Sequence, residues 1–124
     1  EGGPPQSVVD FGMVDLDTKH IAPGRCAAVT CRDDAVQVGV WQLPDRIMLT
    51  VYNTDAEKAR NVTIELGLEA LNLTPELPWQ DFIGVRDLHN PDGGKAAALD
   101  YYGRTLTVGG LKPGTGRLIG IRRY

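Results

Sequence analysis

The stretch VQVGVWQLPDRIMLTVYNTD, residues 36–55, decides the fold of this chain. In each of its two arms aliphatic residues alternate with other residues, and the aliphatic positions are Val36, Val38 and Val40, then Ile47, Leu49 and Val51. A period of two is typical of a strand with one buried face. Between the arms, Pro44 fixes φ and Asp45 supplies a side-chain acceptor, as turns require. The stretch therefore predicts a β-hairpin that serves as scaffold.

Short apolar runs separated by Gly- and Pro-rich breaks continue through the rest of the chain. We expect further strands in residues 61–66, 81–88, 97–102, 104–108 and 116–124. Upstream of the hairpin we expect a strand or edge strand in 8–17, a loop in 18–25 and a short strand in 26–31. Residues 67–79 predict a short helical turn or an irregular crossover, because their two prolines exclude a long helix.

Short strands at roughly 8–12-residue spacing are typical of sandwiches and barrels. The chain is therefore predicted to be an all-β, antiparallel β-sandwich of about eight strands. A Greek-key-like topology should pair late strands with early ones. Residues 1–7 are expected to be a linker or flexible lead, and residues 8–124 a single domain. The predicted core consists of Val36, Val38, Val40, Ile47, Leu49, Val51, Val62, Ile64, Leu66, Val85, Leu106, Val108, Leu118 and Ile121.

The composition excludes several kinds of partner. The 124 residues are 42% hydrophobic and 23% charged, with a formal net charge of -3. We expect no nucleic-acid partner and no membrane partner, because either polyanionic surface requires a basic excess. The apolar runs also fall short of the roughly 20 residues that span a bilayer. Because the sequence begins Glu-Gly-Gly-Pro-Pro rather than with Met, we expect it to be part of a longer polypeptide.

Two cysteines, Cys26 and Cys31, lie five residues apart. On one extended strand they would be about 17 Å apart, which is too far for a disulfide. A turn between them would shorten that distance, although the intervening AAVT does not predict one. Reduced, packed thiols are favoured over a disulfide or a metal site, and two cysteines without a nearby pair of histidines are a poor zinc site.

Residues of the kind used in catalysis are scarce. The two histidines, His20 and His89, lie in predicted loops, and the only serine, Ser7, lies in the predicted lead. The acidic residues Asp15, Asp17, Asp33 and Asp34 are more typical of solvated edges and turns than of a glycosidase pair. Calcium ligands at Asp15 and Asp17, or in residues 53–55, would lack the ligand spacing of a known loop motif. We expect no catalytic site, no metal and no cofactor in this chain.

Aromatic residues give the strongest binding hypothesis. Trp41 and Tyr52 have the parity of the non-aliphatic face of the hairpin, and Trp79 follows in the crossover. A row of rings on a sheet face could stack on sugar rings. Packing of the same rings against a loop or a neighbouring domain is the favoured interpretation, because tyrosine and tryptophan are also the usual interface residues. Trp41, Tyr52 and Trp79 are therefore candidate carbohydrate-binding residues, with interdomain packing as the other interpretation.

The order of strands and turns in residues 36–124 is similar to that of a known kind of domain. A strand, a Pro-Asp-Arg turn, a strand that ends VYN, a polar loop and VTIEL are followed by VRDLHN and by LTVGGLKPGTGRLIGI. This order resembles the C-terminal antiparallel β-sandwich of TIM-barrel glycoside hydrolases, an α-galactosidase-like accessory domain. The positions that carry the closing part of the resemblance are Leu106, Val108, Leu111, Pro113, Arg117, Leu118 and Ile121.

The resemblance implies a non-catalytic accessory domain that packs against an upstream catalytic domain of the same polypeptide. The catalytic carboxylates of such enzymes lie in the barrel, so no catalytic residue is carried over to this chain. A secreted or periplasmic location would follow from membership in such an enzyme. Two other functions stay open on the residues alone, a carbohydrate-binding module and an adhesion-type sandwich that binds protein.

Overall fold

The computed structural model describes residues 6–13, 18–22, 25–71, 73, 83–90, 97–99 and 105–123. They form one short helix and nine strands. These are α1 (Gln6–Asp10), β1 (Lys19–Ile21), β2 (Val29–Cys31), β3 (Val36–Leu43), β4 (Arg46–Asn53), β5 (Arg60–Leu66), β6 (Ile83–His89), β7 (Ala98–Leu99), β8 (Thr105–Leu111) and β9 (Gly116–Arg123).

The strands build two antiparallel sheets, so the all-β sandwich prediction is confirmed. The five-stranded sheet has the order β1-β3-β4-β9-β6, and the four-stranded sheet has the order β2-β5-β8-β7. Late strands pair with early ones, because β9 lies between β4 and β6 while β8 lies beside β5. The hairpin of β3 and β4 pairs over its full length, from Val36 with Asn53 to Leu43 with Arg46.

The main core lies between the two sheets. Period-two alternation in the hairpin places its aliphatic residues on one face, where they meet the inward residues of β5 and β8. The buried set is Val36, Val38, Val40, Ile47, Leu49, Val51, Val62, Ile64, Leu66, Leu71, Leu73, Leu106, Val108, Leu111, Ile119 and Ile121. Nearly all of the predicted core is therefore confirmed, and Val85 packs against it half-buried.

The prediction for the last strand is wrong in one respect. Ile119, with no exposed surface, occupies the inter-sheet core together with Ile121. Leu118 points to the opposite face of the sheet and packs against a second cluster. Residues 118 and 121 differ in parity, and only residues of equal parity share a face of a strand.

Upstream of the hairpin, three expectations are corrected. The segment expected as a strand from residue 8 is instead helical over Gln6–Asp10, so the last two residues of the expected lead also belong to α1. The loop expected around His20 contains the edge strand β1, which pairs with β3. The strand expected over 26–31 is limited to β2, because a turn holds Val29 N 3.2 Å from Cys26 O.

Candidate functional site

The candidate site is the outer face of the five-stranded sheet, which is the face that points away from the main core. One part of it is covered by residues 6–13, which contribute the buried side chains Val8, Phe11 and Met13. With residues of the sheet these form a second cluster, which consists of Val8, Phe11, Met13, Leu43, Met48 and Leu88, with Trp41 and Leu118 packed against it. The other part of the face contains Tyr52 and stays open.

Trp41 lies on the covered part of this face. Its ring packs against His20 of β1, with ring centroids 4.2 Å apart and an interplanar angle of 35°. The two residues are directly opposite in the β1–β3 pair. Trp41 Nε1 is buried, and among the described residues nothing accepts its hydrogen bond. His20 therefore covers one face of the indole ring, so that less surface of Trp41 is available for stacking on a ligand than a fully exposed ring would offer.

Tyr52 lies on the open part and is 44% exposed. Its ring lies against Gly116 of β9, where a Cβ atom would be only 3.4 Å from Tyr52 Cδ1. Beside it is a shallow depression of about 290 Å³, lined by Thr50, Val51, Tyr52, His89, Gly116, Arg117 and Leu118. We call the outward part of this region, Thr50, Tyr52, His89, Gly116 and Leu118, the Tyr52 patch. It combines an aromatic ring, apolar surface and a few polar groups.

The register shows how the predicted aromatic residues are related. Trp41 pairs with Met48, whereas Tyr52 pairs with Gln37, so the two rings are on one face but four positions apart. That separation is about 13 Å along the strand. Gly39 and Thr50 lie between them. Trp79 lies outside the described residues, so the relation is given for Trp41 and Tyr52 alone.

A polar network closes one end of the sandwich, where the hairpin, β5 and the β8–β9 turn meet. At its centre is Asn53, which is fully buried. Its Nδ2 donates to Lys58 O at 2.9 Å and to Leu111 O at 3.0 Å, and its Oδ1 accepts from Asp55 N at 2.9 Å. Since every polar atom of the amide is used, Asn53 acts as a clamp between the loop and β8.

Asp55 and Arg60 extend this network. Asp55 Oδ1 accepts from Glu57 N and Lys58 N at 2.8 and 3.1 Å, and Oδ2 accepts from Arg60 Nη2 at 2.8 Å. These hydrogen bonds, the one from Glu57 N most of all, lower the pKa of Asp55 from 3.8 to about 2. Arg60 also contacts Asp33 through Nη1 at 3.0 Å. The oxygens that sequence reasoning weighed as calcium ligands in residues 53–55 thus bind protein groups.

Asp45 and the two cysteines are further groups with potentially reactive side chains. Asp45 pairs with Arg46 at 2.8 Å, and this hydrogen bond lowers the pKa of Asp45. Both cysteines are free thiols, and burial raises the pKa of Cys31. A raised pKa leaves less of the reactive thiolate, so Cys31 is a poor nucleophile. Asp15 and Asp17 lie outside the described residues.

The described part of the chain contains neither a metal-binding cluster nor a membrane-spanning helix. No group of three or more His, Cys, Asp or Glu side chains there is placed to hold a metal ion. No helix there has the length and apolar character needed to cross a membrane.

Sequence reasoning missed the partners of both rings on the outer face. His20 contacts Trp41 from a strand of three residues, which is too short to predict from alternation. Gly116 and Gly120 had a usable signal, because glycine inside a strand often marks close approach of another group. These two glycines are four positions apart and therefore share a face, where they lie under Tyr52 and Phe11 respectively.

Comparisons of the chain with protein-family models, with curated proteins and with solved structures gave no match. None of the three comparisons tests the resemblance to glycoside hydrolase accessory domains, which stays a prediction from the order of strands and turns in residues 36–124.

Proposed function

We propose that this chain is a non-catalytic accessory β-sandwich domain of a glycoside hydrolase-like protein. In this proposal it packs against the catalytic domain of the same polypeptide through the Tyr52 patch. The observation that carries the proposal is the exposed ring of Tyr52 in an otherwise well-covered fold. Tyr52 and Val9 are the only large hydrophobic side chains among the described residues with more than a third of their surface exposed.

The chemistry of the Tyr52 patch suits a protein surface. Tyrosine is enriched at interfaces because its ring buries apolar area while its hydroxyl stays hydrogen-bonded. Leu118 and Gly116 extend the apolar surface beside the ring, and His89 and Thr50 supply polar groups at its margin. A central aromatic residue with a polar surround is the arrangement that interface energetics favour.

The placement of the polar groups supports a structural role rather than a catalytic one. Asn53, Asp55 and Arg60 fix a loop at one end of the sandwich through hydrogen bonds to one another and to the backbone. Strongly shifted pKa values often mark catalytic residues. Here the lowered pKa of Asp55 is explained by backbone N–H groups and Arg60, which hold a turn.

A carbohydrate-binding function would use the same exposed ring. The arrangement of Trp41 favours it less, since His20 occupies part of the indole surface and about 13 Å separates Trp41 from Tyr52. Within the described residues, Tyr52 alone offers a ring that is free for stacking on a saccharide. Binding of sugar at Tyr52 is therefore treated as an outcome of the test below.

The test uses the complete polypeptide encoded by the gene of this chain. If a catalytic barrel is encoded with it, thermal unfolding should be measured for the wild type and for Tyr52→Ala. We expect the substitution to separate one coupled transition into two, because it removes the centre of the contact between the domains. Val9→Ala is the matched control, since Val9 is also exposed, at 39%, but lies in α1 and is not among the residues that line the Tyr52 depression.

Two results would overturn the proposal. The first is a gene that encodes no further domain, and the second is coupling that Tyr52→Ala leaves intact. Titration of the chain with a set of oligosaccharides distinguishes the other interpretation. If an oligosaccharide binds saturably, and Tyr52→Ala abolishes this binding while Val9→Ala does not, the chain recognises sugar and the proposed accessory function is wrong.

A further inference from the structure

Residues 6–13 form a short segment that is attached to the outer face of the five-stranded sheet. α1 is only five residues long, and helices of that length are not stable by themselves in water. The segment is held by three buried side chains, Val8, Phe11 and Met13. Arg46 Nη1 adds a hydrogen bond to Phe11 O at 2.7 Å. Its conformation therefore depends on contact with the sheet.

The sheet has a shaped seat for the central ring of this segment. Gly120 of β9 lies under Phe11, and a Cβ atom there would be 2.7 Å from Phe11 Cζ. Contacts that close do not occur between real Cβ atoms and aromatic rings, so any larger residue at position 120 would displace Phe11. Gly12 lies against Arg46 in a similar way. Its φ is +83°, and a Cβ atom at this position would collide with Arg46 Nη1. The surface of the sheet and residues 6–13 are therefore complementary in shape.

The cluster beneath the segment is separate from the main core. Val8, Phe11 and Met13 contact residues such as Met48 and Leu88, whereas the inter-sheet core lies on the other face of the same strands. The backbone of the five-stranded sheet stands between the two clusters. Loss of the outer contacts would therefore leave the inter-sheet packing in place, which is the condition for local opening without global unfolding.

We infer that residues 6–13 are a displaceable strap. The surface beneath them is a groove that binds one short amphipathic segment, with an aliphatic residue, an aromatic ring three positions later and a methionine two positions after that. In this structure the chain fills the groove with its own segment. Release would expose an apolar surface that adjoins the Tyr52 patch through Leu118, which belongs to both. The inference does not depend on the proposed function.

Hydrogen exchange in the full chain tests whether the strap opens by itself. Met13 N donates to Val8 O within the segment, whereas Leu49 lies in β4 at the centre of the sheet. We expect the Met13 amide to exchange on the order of 100-fold faster than the Leu49 amide, since local opening requires less free energy than global unfolding. Exchange of both amides at one common rate would contradict the strap.

Substitutions at the seat sharpen this test. Phe11→Ala and Gly120→Ala should each accelerate exchange of Met13 further and leave Leu49 protected. In the double variant Phe11→Ala/Gly120→Ala, the Met13 amide should exchange no faster than in Phe11→Ala alone. The Cβ atom added at position 120 clashes only with the Phe11 ring, and the double variant lacks that ring. Val9→Ala, next to the buried Val8 but exposed, should change neither rate. If Phe11→Ala removes the protection of Leu49, the segment belongs to the global fold and the inference is wrong.

Binding in trans tests the groove itself. The probe is a synthetic peptide with the sequence of residues 6–18, added to the full-length Phe11→Ala protein. We expect saturable binding, observed as a change in the fluorescence of Trp41, which packs against the same cluster. A peptide of the same sequence with Ala in place of Phe should not bind the Phe11→Ala protein. The original peptide should not bind the double variant Phe11→Ala/Gly120→Val. Failure of the first peptide to bind Phe11→Ala would overturn the groove.

Discussion

The two faces of the five-stranded sheet differ in what covers them. The inner face packs against the second sheet, and its central residues Val40, Leu49 and Ile119 have no exposed surface. Among the described residues, the segment 6–13 covers one part of the outer face, and Tyr52 is 44% exposed on the remainder. The same strands thus provide a packed scaffold on one side and an accessible surface on the other.

This difference predicts where substitutions should affect stability most. The inner face is built from aliphatic residues of one parity, whose packing tolerates little change in volume. The outer face combines glycines, the rings of Trp41 and Tyr52, histidines and a short segment, and it includes the exposed side chain of Tyr52. Substitutions on the inner face should therefore affect folding, and those on the outer face should affect binding.

The largest effect on stability is expected at Ile119 of β9, and its neighbour Leu118, which points to the opposite face of the sheet, provides the comparison. Ile119→Ala should lower the free energy of unfolding by about 2–5 kcal/mol, because it leaves a cavity in the inter-sheet core. Leu118→Ala, on the half-buried outer face, should cost about 1–2 kcal/mol. Urea unfolding followed by far-UV circular dichroism measures both. Equal costs would mean that the two faces are packed alike.

A smaller effect is expected at the polar end of the sandwich. Asn53→Ala should lower the free energy of unfolding by about 2 kcal/mol, because it leaves Leu111 O without the partner that Asn53 provides. Asn61→Ala is a suitable control, since Asn61 Oδ1 accepts an exposed hydrogen bond from Gly110 N at 3.0 Å. That variant should stay within about 0.5 kcal/mol of the wild type. If the two asparagines proved equivalent, the clamp would have no energetic role.

The pH dependence of stability should reveal Asp55. Its pKa is about 2 in the folded chain against an ordinary value of 3.8, so the charged carboxylate stabilises the fold at higher pH. The free energy of unfolding should therefore fall as the pH drops from about 4 toward 2. Asp55→Asn should flatten this part of the curve, as measured by urea unfolding at several pH values. If the free energy of unfolding falls with pH as steeply in Asp55→Asn as in the wild type, groups other than Asp55 cause the pH dependence.

The smallest effect on stability is expected on the open outer face. Tyr52→Ala should change the free energy of unfolding by no more than about 0.5 kcal/mol, because exposed side chains contribute little to folding. Thermal unfolding of the isolated chain measures this. A large loss of stability would mean that Tyr52 is part of the scaffold, and it would remove the contrast between the two faces.

The sequence predicted the inner face well and the outer face poorly. Alternation in residues 36–53 is enough to define the hairpin and its buried parity. In GRLIGI both parities carry an apolar residue, so alternation could not distinguish Leu118 from Ile119. The segment around Phe11 alternates only weakly, and its helix exists because the sheet holds it. Local pattern could not reveal a structure that depends on contacts more than 100 positions away.

The candidate site was predictable in part. The parity of Trp41 and Tyr52 placed both on the outer face, as the structure has them. Their different exposure could not be foreseen, since it depends on His20, which reaches Trp41 only through the short pairing of β1 with β3. Glycines at positions 116 and 120 were the remaining signal of close approach on this face.

Hydroxyl-radical footprinting of Tyr52 tests the central claim most directly. Oxidation at Tyr52 is compared between this chain alone and the complete polypeptide encoded by its gene, with Val9 as the internal reference in both. We expect Tyr52 to be readily oxidised in the chain alone and strongly protected in the complete polypeptide, while Val9 changes little. Equal oxidation of Tyr52 in both would show that the Tyr52 patch contacts no other domain, which would contradict the proposed function.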